Sequence, residues 1–326
     1  MYEQLDLFSL TREPIKITKP IRLIEMFAGY GSQAMALKRM GADFEHYRVV
    51  EFDKYAVASY NAVHGTDFPT MDITKVHATD LDICDTERFT YLLTYSFPCT
   101  DLSVAGKQAG MSKGSGTRSG LLWEVERILK EIKDINGELP QILFMENVPQ
   151  VHGSKNMADF QKWIDFLESL GYVNYWQDLN AKDYGVAQNR NRTFMFSFLG
   201  NYSYKFPHPI PLEKKLKDYL EDDVDERYYI NNEKAQKLIN TLIDNGTLQN
   251  GCIGNVNPSG NGINGNVYYG DYSPTLTTNK GEGAKVCVDL SINNPNEKSI
   301  SNCITSREDR GVCNQKSVGN GVIEWK

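Results

Sequence analysis

Up to about residue 200, four short apolar runs partition the chain, and each ends on residues of a different kind. Ile21 to Met26 runs into Phe27-Ala28-Gly29-Tyr30-Gly31-Ser32, and Val49-Val50 into Glu51-Phe52-Asp53. Tyr91 to Ser96 runs into Phe97-Pro98-Cys99, and Gln141 to Met145 into Glu146-Asn147-Val148-Pro149. Between them lie helical stretches, residues 32–40, 54–64, 121–133 and 156–170, whose apolar side chains recur at three- and four-residue spacing. Buried strands alternating with amphipathic helices predict an α/β fold with a parallel sheet. In such a sheet ligands sit beyond the carboxyl ends of the strands. The residues that terminate the four runs are therefore the first candidates for chemistry.

Each terminus has a reading of its own. Ser32 is a candidate helix cap, with Gly41 as the C-terminal stop. The glycine turn before it lets a ligand approach the backbone and the helix N-terminus, although the full GxGxxG pattern is absent. Glu51 lies where an acid can hold ribose hydroxyls, and Phe52 can stack on a purine. Met71 to Thr74 is a third candidate strand end carrying a carboxylate, Asp72. Cys99, just after Pro98, is either a reactive thiol or a buried core cysteine, and this stretch alone leaves the two near parity. Residues 100–120, rich in Gly, Ser and Lys, are too long and polar for a plain connection and read as a lid. Glu146 is placed to act as an acid. Residues 172–179 and 192–199 read as two further strands, and Arg190 and Arg192 between them fall on one side of an extended segment.

Composition narrows the class. The 326 residues are 40% hydrophobic and 24% charged, as in ordinary globular chains with room for two domains. The net charge of −7 divides unevenly, −8 over the first 226 residues and +1 over the rest, which keeps a nucleic-acid face open. No signal-peptide pattern and no run of eighteen apolar residues is present, so neither export nor a membrane is indicated. None of the six cysteines forms a CxxC pair. No metal site or disulfide framework is expected, and a cytoplasmic setting is the default. Phe206 to Pro211 reads as a stiff linker. Nine of the 26 glycines fall between Gly246 and Gly283, which predicts a second, smaller, loop-rich domain over residues 206–326. Residues 1–19 read as a leader outside the main domain of residues 20–205. Within that leader, Gln4-Leu5-Asp6-Leu7-Phe8 resembles the short motif with which bacterial proteins dock on the replication sliding clamp, which implies the clamp as a partner.

Taken in order, Phe-Ala-Gly-x-Gly, Glu-Phe-Asp, Asp-Ile, Pro-Cys, Glu-Asn-Val and Gln-x-Arg-x-Arg resemble the ordered motifs of the DNA cytosine-5 methyltransferases, from Phe27 to Arg192. The resemblance implies a Rossmann-like sheet that binds S-adenosyl-L-methionine, with residues 206–326 as a target-recognition domain for double-stranded DNA. Phe27, Ala28, Gly29, Gly31 and Pro98 would shape the cofactor pocket. Glu51 would hold the ribose, Phe52 would stack on the adenine, and Asp72 and Ile73 would flank it. Cys99 would be the nucleophile and Glu146 would bond the flipped cytosine. Arg190 and Arg192 would bind the base and nearby backbone. Ser103, Arg118 and Thr275 would contact DNA. Thr100 departs from the family's usual Gln.

The implied chemistry accounts for the residue types. Thiolate addition at carbon 6 makes carbon 5 of cytosine nucleophilic toward a sulfonium methyl group, and Glu146 offsets the charge at N3. The base has to leave the duplex to be reached, and the thiol has to be activated. The family's late Arg-x-x-Thr-x-x-Glu-x-x-Arg segment is not found, and Gly319-Asn320-Gly321-Val322 is followed by only four residues. The expectation is a chain incomplete at its C-terminus, or one half of a split enzyme completed by another polypeptide. Rival readings are a DNA-binding module without activity alone, a methyltransferase for transfer RNA and, more remotely, a nicotinamide dehydrogenase.

Overall fold

The computed structural model describes residues 12–102 and 109–213, and the backbone of three short strands beyond them, 252–255, 266–268 and 285–286. The clamp-like motif Gln4 to Phe8, Ser103, the charged stretch after residue 213, Thr275 and the Gly319 to Val322 segment lie outside the described residues.

The chain forms two compact units, Met1–Asp178 with Arg192–Pro207, and Leu179–Asn191 with His208–Lys326. Composition places one border near residue 206 and leaves 179–191 in the first unit, whereas the contacts assign that segment to the second.

The first unit opens with β1 (Glu13–Pro14), followed by β2 (Ile21–Met26), α1 (Ser32–Met40), β3 (Phe44–Val50) and α2 (Lys54–His64). Then come α3 (Ala78–Leu81), β4 (Thr90–Tyr95), α4 (Leu122–Asp134), β5 (Ile142–Asn147) and α5 (Met157–Ser169). Strands β6 (Tyr172–Asn180), β7 (Asn191–Leu199) and β8 (Tyr202–Ser203) follow, with Leu179, Asn180 and Asn191 falling in the second unit. Six strands make one sheet in the order β3-β2-β4-β5-β7-β6. The first four are parallel, but β7 runs antiparallel to β5, with Glu146 opposite Phe194 and Asn147 opposite Thr193. The expected all-parallel sheet is thus corrected to a mixed one. Pairing beside β5 in the parallel sense calls for a crossover connection. Between β6 and β7 lies only one short 3-10 turn, Ala181–Asp183, and no α-helix.

The sheet is covered on both sides, as a parallel arrangement requires. One face, with Ile24, Met26, Leu93, Tyr95, Leu143 and Met145, packs on α4 and α5, whose Ile128, Leu129, Phe160 and Trp163 are fully buried. The other face presents Leu23, Leu92 and Ile142, packed on Ala34 of α1. Gly41 and Gly65, at φ 69° and 68°, stop α1 and α2, the left-handed conformation that glycine adopts at least cost.

Two local expectations are corrected. Ser32 does not cap α1: the capping position is Gly31, and the Ser32 hydroxyl bonds the Gln33 side chain instead. Residues 71–74 are not a strand end. Asp72 caps a short 3-10 turn, Ile73–Lys75, by accepting from the Thr74 N–H and hydroxyl. Those bonds satisfy the turn locally, so no neighbouring strand is needed.

The supposed leader is also tied down where it is described. Glu13 and Pro14 pair in parallel with Tyr202 and Ser203, Arg12 bonds the side chains of Asn201 and Tyr175, and Ile15 packs against the apolar cluster of Leu23. The second unit contains a small sheet of β9 (Cys252–Asn255), β10 (Asn266–Tyr268) and β11 (Lys285–Val286) in the order β11-β10-β9, antiparallel between β9 and β10. Among the described residues no helix is long and apolar enough to cross a membrane.

Candidate active site

Strand β2 has β3 on one side and β4 on the other, so the chain reverses its direction of travel across the sheet between β2 and β4. That switch point is where a doubly wound sheet opens a crevice at its carboxyl edge. Two of the candidate segments stand there, Phe27–Gly31 after β2 and Phe97–Cys99 after β4.

The glycine turn is built from left-handed backbone. Phe27, Gly29 and Gly31 have φ of 57°, 57° and 82°. For phenylalanine this is a sparsely populated conformation, the kind of strain that collects at ligand sites. The Phe27 N–H donates to Val50 O (2.8 Å), which holds the turn against the end of β3. Glu51 fixes its far side. Oε2 accepts the Gly29 N–H (3.0 Å) and Oε1 accepts the Asp53 N–H (2.9 Å). Each carboxylate oxygen keeps a further acceptor position, so Glu51 can bind the turn and a pair of hydroxyls together. A side chain at Gly29 would meet no atom within 4 Å, so the space in front of it is open. Phe52, next to Glu51 in the chain, is 73% exposed, an aromatic face presented to solvent. Asp53 turns away and caps α2 by accepting from the Tyr55 and Ala56 N–H groups. The Thr74 hydroxyl and N–H hold the Asp72 carboxylate below its usual range, and both bonds fall on Oδ1. Ile73 beside it is buried. An open glycine turn, an acid with spare acceptor capacity and an exposed aromatic fit a nucleoside-bearing cofactor.

Gly31 is constrained differently. A β-carbon there would lie 2.3 Å from His64 Nε2 and 2.6 Å from the Tyr60 ring. Gly31→Ala is expected to lower unfolding stability by about 2–5 kcal/mol, adding overpacking to left-handed strain. Gly41→Ala, also at positive φ but with no atom near its added carbon, should cost only about 1–2 kcal/mol. Urea unfolding of the two variants checks this, and equal losses would contradict it.

Cys99, half-buried, sits on a segment pinned from two directions. Asn147, buried at the end of β5, donates through Nδ2 to Phe97 O (3.0 Å) and accepts the Val148 N–H (2.9 Å). The fully buried Ser119 donates to Pro98 O (2.7 Å) and accepts the Asp101 N–H (3.3 Å), while its own N–H donates to Asp101 Oδ2 (3.2 Å). The cysteine is therefore aimed by residues far from it in sequence. Sequence reasoning misses both clamps. Asn147 is visible there only as the middle of Glu-Asn-Val, and Ser119 only as part of a polar loop. The described part of that loop folds onto the body: Met111 is buried, its carbonyl accepts from Trp123 Nε1, and Ser112 bonds Asp159.

Glu146 is the last residue but one of β5, one strand over from β4. Its Oε1 lies 3.1 Å from Arg192 Nε, the two side chains 22% and 13% exposed. The antiparallel β7 makes this pair possible, because it starts at the edge where β5 ends. Arg190 belongs to the second unit, where its N–H donates to Asn180 Oδ1 (3.0 Å) and its carbonyl accepts the Ala181 N–H (3.0 Å). Within the first unit the structure brings Arg192 to the acid. Arg118 is exposed at the start of the turn that carries Ser119.

A strained glycine turn bound by an acid, and a cysteine segment held by the residue next to an acid paired with arginine, fit a group-transfer enzyme with a nucleoside cofactor. The profile of the C-5 cytosine-specific DNA methylases matches residues 21–312, and the chain belongs to that family, whose members move a methyl group from S-adenosyl-L-methionine to carbon 5 of cytosine in DNA. It is 34% identical over 263 residues to the type II methyltransferase M2.ScrFI of Lactococcus lactis subsp. cremoris, covering 66% of this chain and 71% of that one. It is 30% identical over 343 residues to the orphan methyltransferase M.SPRI of Bacillus phage SPR, covering 93% and 74%. The fold is similar to that of the S. pombe Dnmt2 methyltransferase, with a TM-score of 0.53 at 21% identity over 68% of this chain and 67% of that one.

Proposed function

We propose that this chain methylates cytosine within a specific duplex sequence, with Cys99 as nucleophile and Glu146 and Arg192 as the groups that hold the flipped base. The observation that carries this reading is the pinning of the Pro98-Cys99 segment by Asn147, the residue next to Glu146. It ties the thiol and the acid to one rigid edge. Glu51 would take the ribose hydroxyls, Phe52 the adenine face, and Asp72 Oδ2 with Ile73 the adenine edge, with Phe27, Ala28, Gly29, Gly31 and Pro98 as walls. The bound cofactor supplies an electrophilic methyl group.

The residues then do the following. The Cys99 thiolate adds to carbon 6 of the cytosine, and the electron pair of the C5–C6 bond becomes available at carbon 5 for methyl transfer. A proton held between Glu146 and N3 offsets the charge on the ring, and Arg192 fixes the carboxylate's orientation. After transfer a base removes the carbon 5 proton, the double bond re-forms and the thiolate leaves. Arg190, Ser103, Arg118 and Thr275 would bind DNA, and residues 206–326 would read the target. The test is covalent trapping on duplex DNA carrying 5-fluorocytosine in the presence of S-adenosyl-L-methionine. A denaturation-resistant adduct supports the reading, and none on DNA of varied sequence points to a chain that needs a complementing polypeptide.

Docking of the chain on a bacterial sliding clamp through Gln4 to Phe8 is a separate proposal. A peptide of residues 1–12 is expected to bind a purified clamp, and to lose binding with Leu7→Ala and Phe8→Ala together. Calorimetry decides, and an inert wild-type peptide ends the proposal.

A further inference from the structure

We propose that Glu25 and Tyr60 are positioning residues for the cofactor turn, supporting Phe27–Gly31 and the first turn of α1 from beneath through a hydrogen-bonded chain that reaches His46. The proposal rests on the reading of that turn as the S-adenosyl-L-methionine site.

Glu25 lies two residues before Phe27 and is fully buried, as is Tyr60. Oε1 of Glu25 accepts the Ala34 N–H (3.3 Å), and Oε2 accepts the Tyr60 hydroxyl (2.6 Å). That hydroxyl is also 2.6 Å from His46 Nδ1. One hydroxyl carries one proton, so the second contact needs a proton from His46 Nδ1 or from Glu25 itself. The three groups therefore share protons.

The same tyrosine ring, with His64, fills the notch that a Gly31 side chain would occupy, and His64 Nε2 is 3.0 Å from Tyr30 O. Helix α2 thus touches the turn at Tyr30 and Gly31 directly, and the start of α1 through Glu25. A purely structural core would be served by apolar side chains of the same volume. Buried polar networks instead fix one geometry when every member is satisfied.

The Glu25 carboxylate meets Tyr60 from α2 and the Ala34 N–H from α1, with Thr94 its register neighbour on β4, while His46 of β3 and His64 of α2 lie against Tyr60. Lys38 of α1 acts on His46. Burial pushes the Glu25 carboxyl up to about 7, opposed by the bonds from Tyr60 and Ala34. Because the folded value is raised, its contribution to folding stability is full below about pH 4.5 and is lost as pH climbs through about 7. A cofactor bearing a positive sulfonium favours the carboxylate form. Binding should therefore displace the proton, and affinity should rise between about pH 6 and 8.

The experiment is calorimetric titration of the full chain with S-adenosyl-L-methionine, below the unfolding transition of each variant. Tyr60→Phe keeps the ring in the Gly31 notch and removes only the hydroxyl, so cofactor affinity should fall about fivefold to tenfold. Glu25→Gln should flatten the pH dependence relative to wild type, since titration of the cofactor's own amino group is common to both proteins. Cofactor binding by Tyr60→Phe within twofold of wild type, or an unchanged pH slope in Glu25→Gln, overturns the proposal. Glu51→Ala separates the two levels. If it too binds normally, the reading of the turn as the cofactor site has failed. If it loses binding while Tyr60→Phe does not, only the positioning role has failed.

Discussion

Cys99→Ala is expected to remove methyl transfer altogether, a loss on the order of 10⁴-fold or more, while leaving the fold and cofactor binding intact. Deleting one half-buried sulfur leaves the clamps on its segment untouched, because Asn147 and Ser119 hold the carbonyls of Phe97 and Pro98 rather than the thiol. Denaturant midpoints of the two proteins should agree closely. The discriminating measurement is the adduct with 5-fluorocytosine DNA, which wild type forms and Cys99→Ala does not. A variant that keeps even one per cent of wild-type methylation would rule out a covalent path through Cys99. The expectation follows from the reaction, since carbon 5 of cytosine is a poor nucleophile until a bond forms at carbon 6.

Glu146→Gln should cost about 10²–10³ in kcat, the usual range for removing one group that stabilises developing charge. The amide keeps the shape and can still accept from Arg192, so binding of cofactor and DNA should change little. The loss belongs to the transition state, and kcat should fall without a matching rise in KM. Glu146→Ala should do more. It deprives a largely buried Arg192 of the carboxylate 3.1 Å away and adds about 1.5–3 kcal/mol of instability. Single-turnover methylation and urea unfolding of both variants separate the two effects. Glu146→Gln with a rate within tenfold of wild type would mean the carboxylate serves Arg192 and not the base.

Much of the first unit is legible in the amino-acid sequence because its signals are local. Gly41 and Gly65 stop helices where the apolar pattern ends, and the four apolar runs are the four mutually parallel strands β2 to β5. The same locality explains the misses. Ser32 has the side chain of a cap, but the turn before it already puts Gly31 in that position. Asp72 resembles a strand end because nothing nearby in sequence shows that its carboxylate is used on Thr74. The clamps on the cysteine segment join residues about 20 and 50 positions apart, and no periodicity announces a contact of that kind. The antiparallel β7 is equally hidden, since strand direction depends on the path taken between strands and not on the strand's own residues.

The border between the two units crosses the chain three times, at Asp178, at Arg192 and at Pro207. The first two crossings fall at the adjoining ends of β6 and β7, and Arg192 is the residue at one of them. Grafting a foreign second unit onto this sheet is therefore not a single splice after Pro207. A chimera made that way would keep the native 179–191 segment without the rest of its unit, one residue from the arginine that holds Glu146. Recombination that respects the border needs the inner segment and the outer one exchanged together, so these two stretches are expected to travel as a pair.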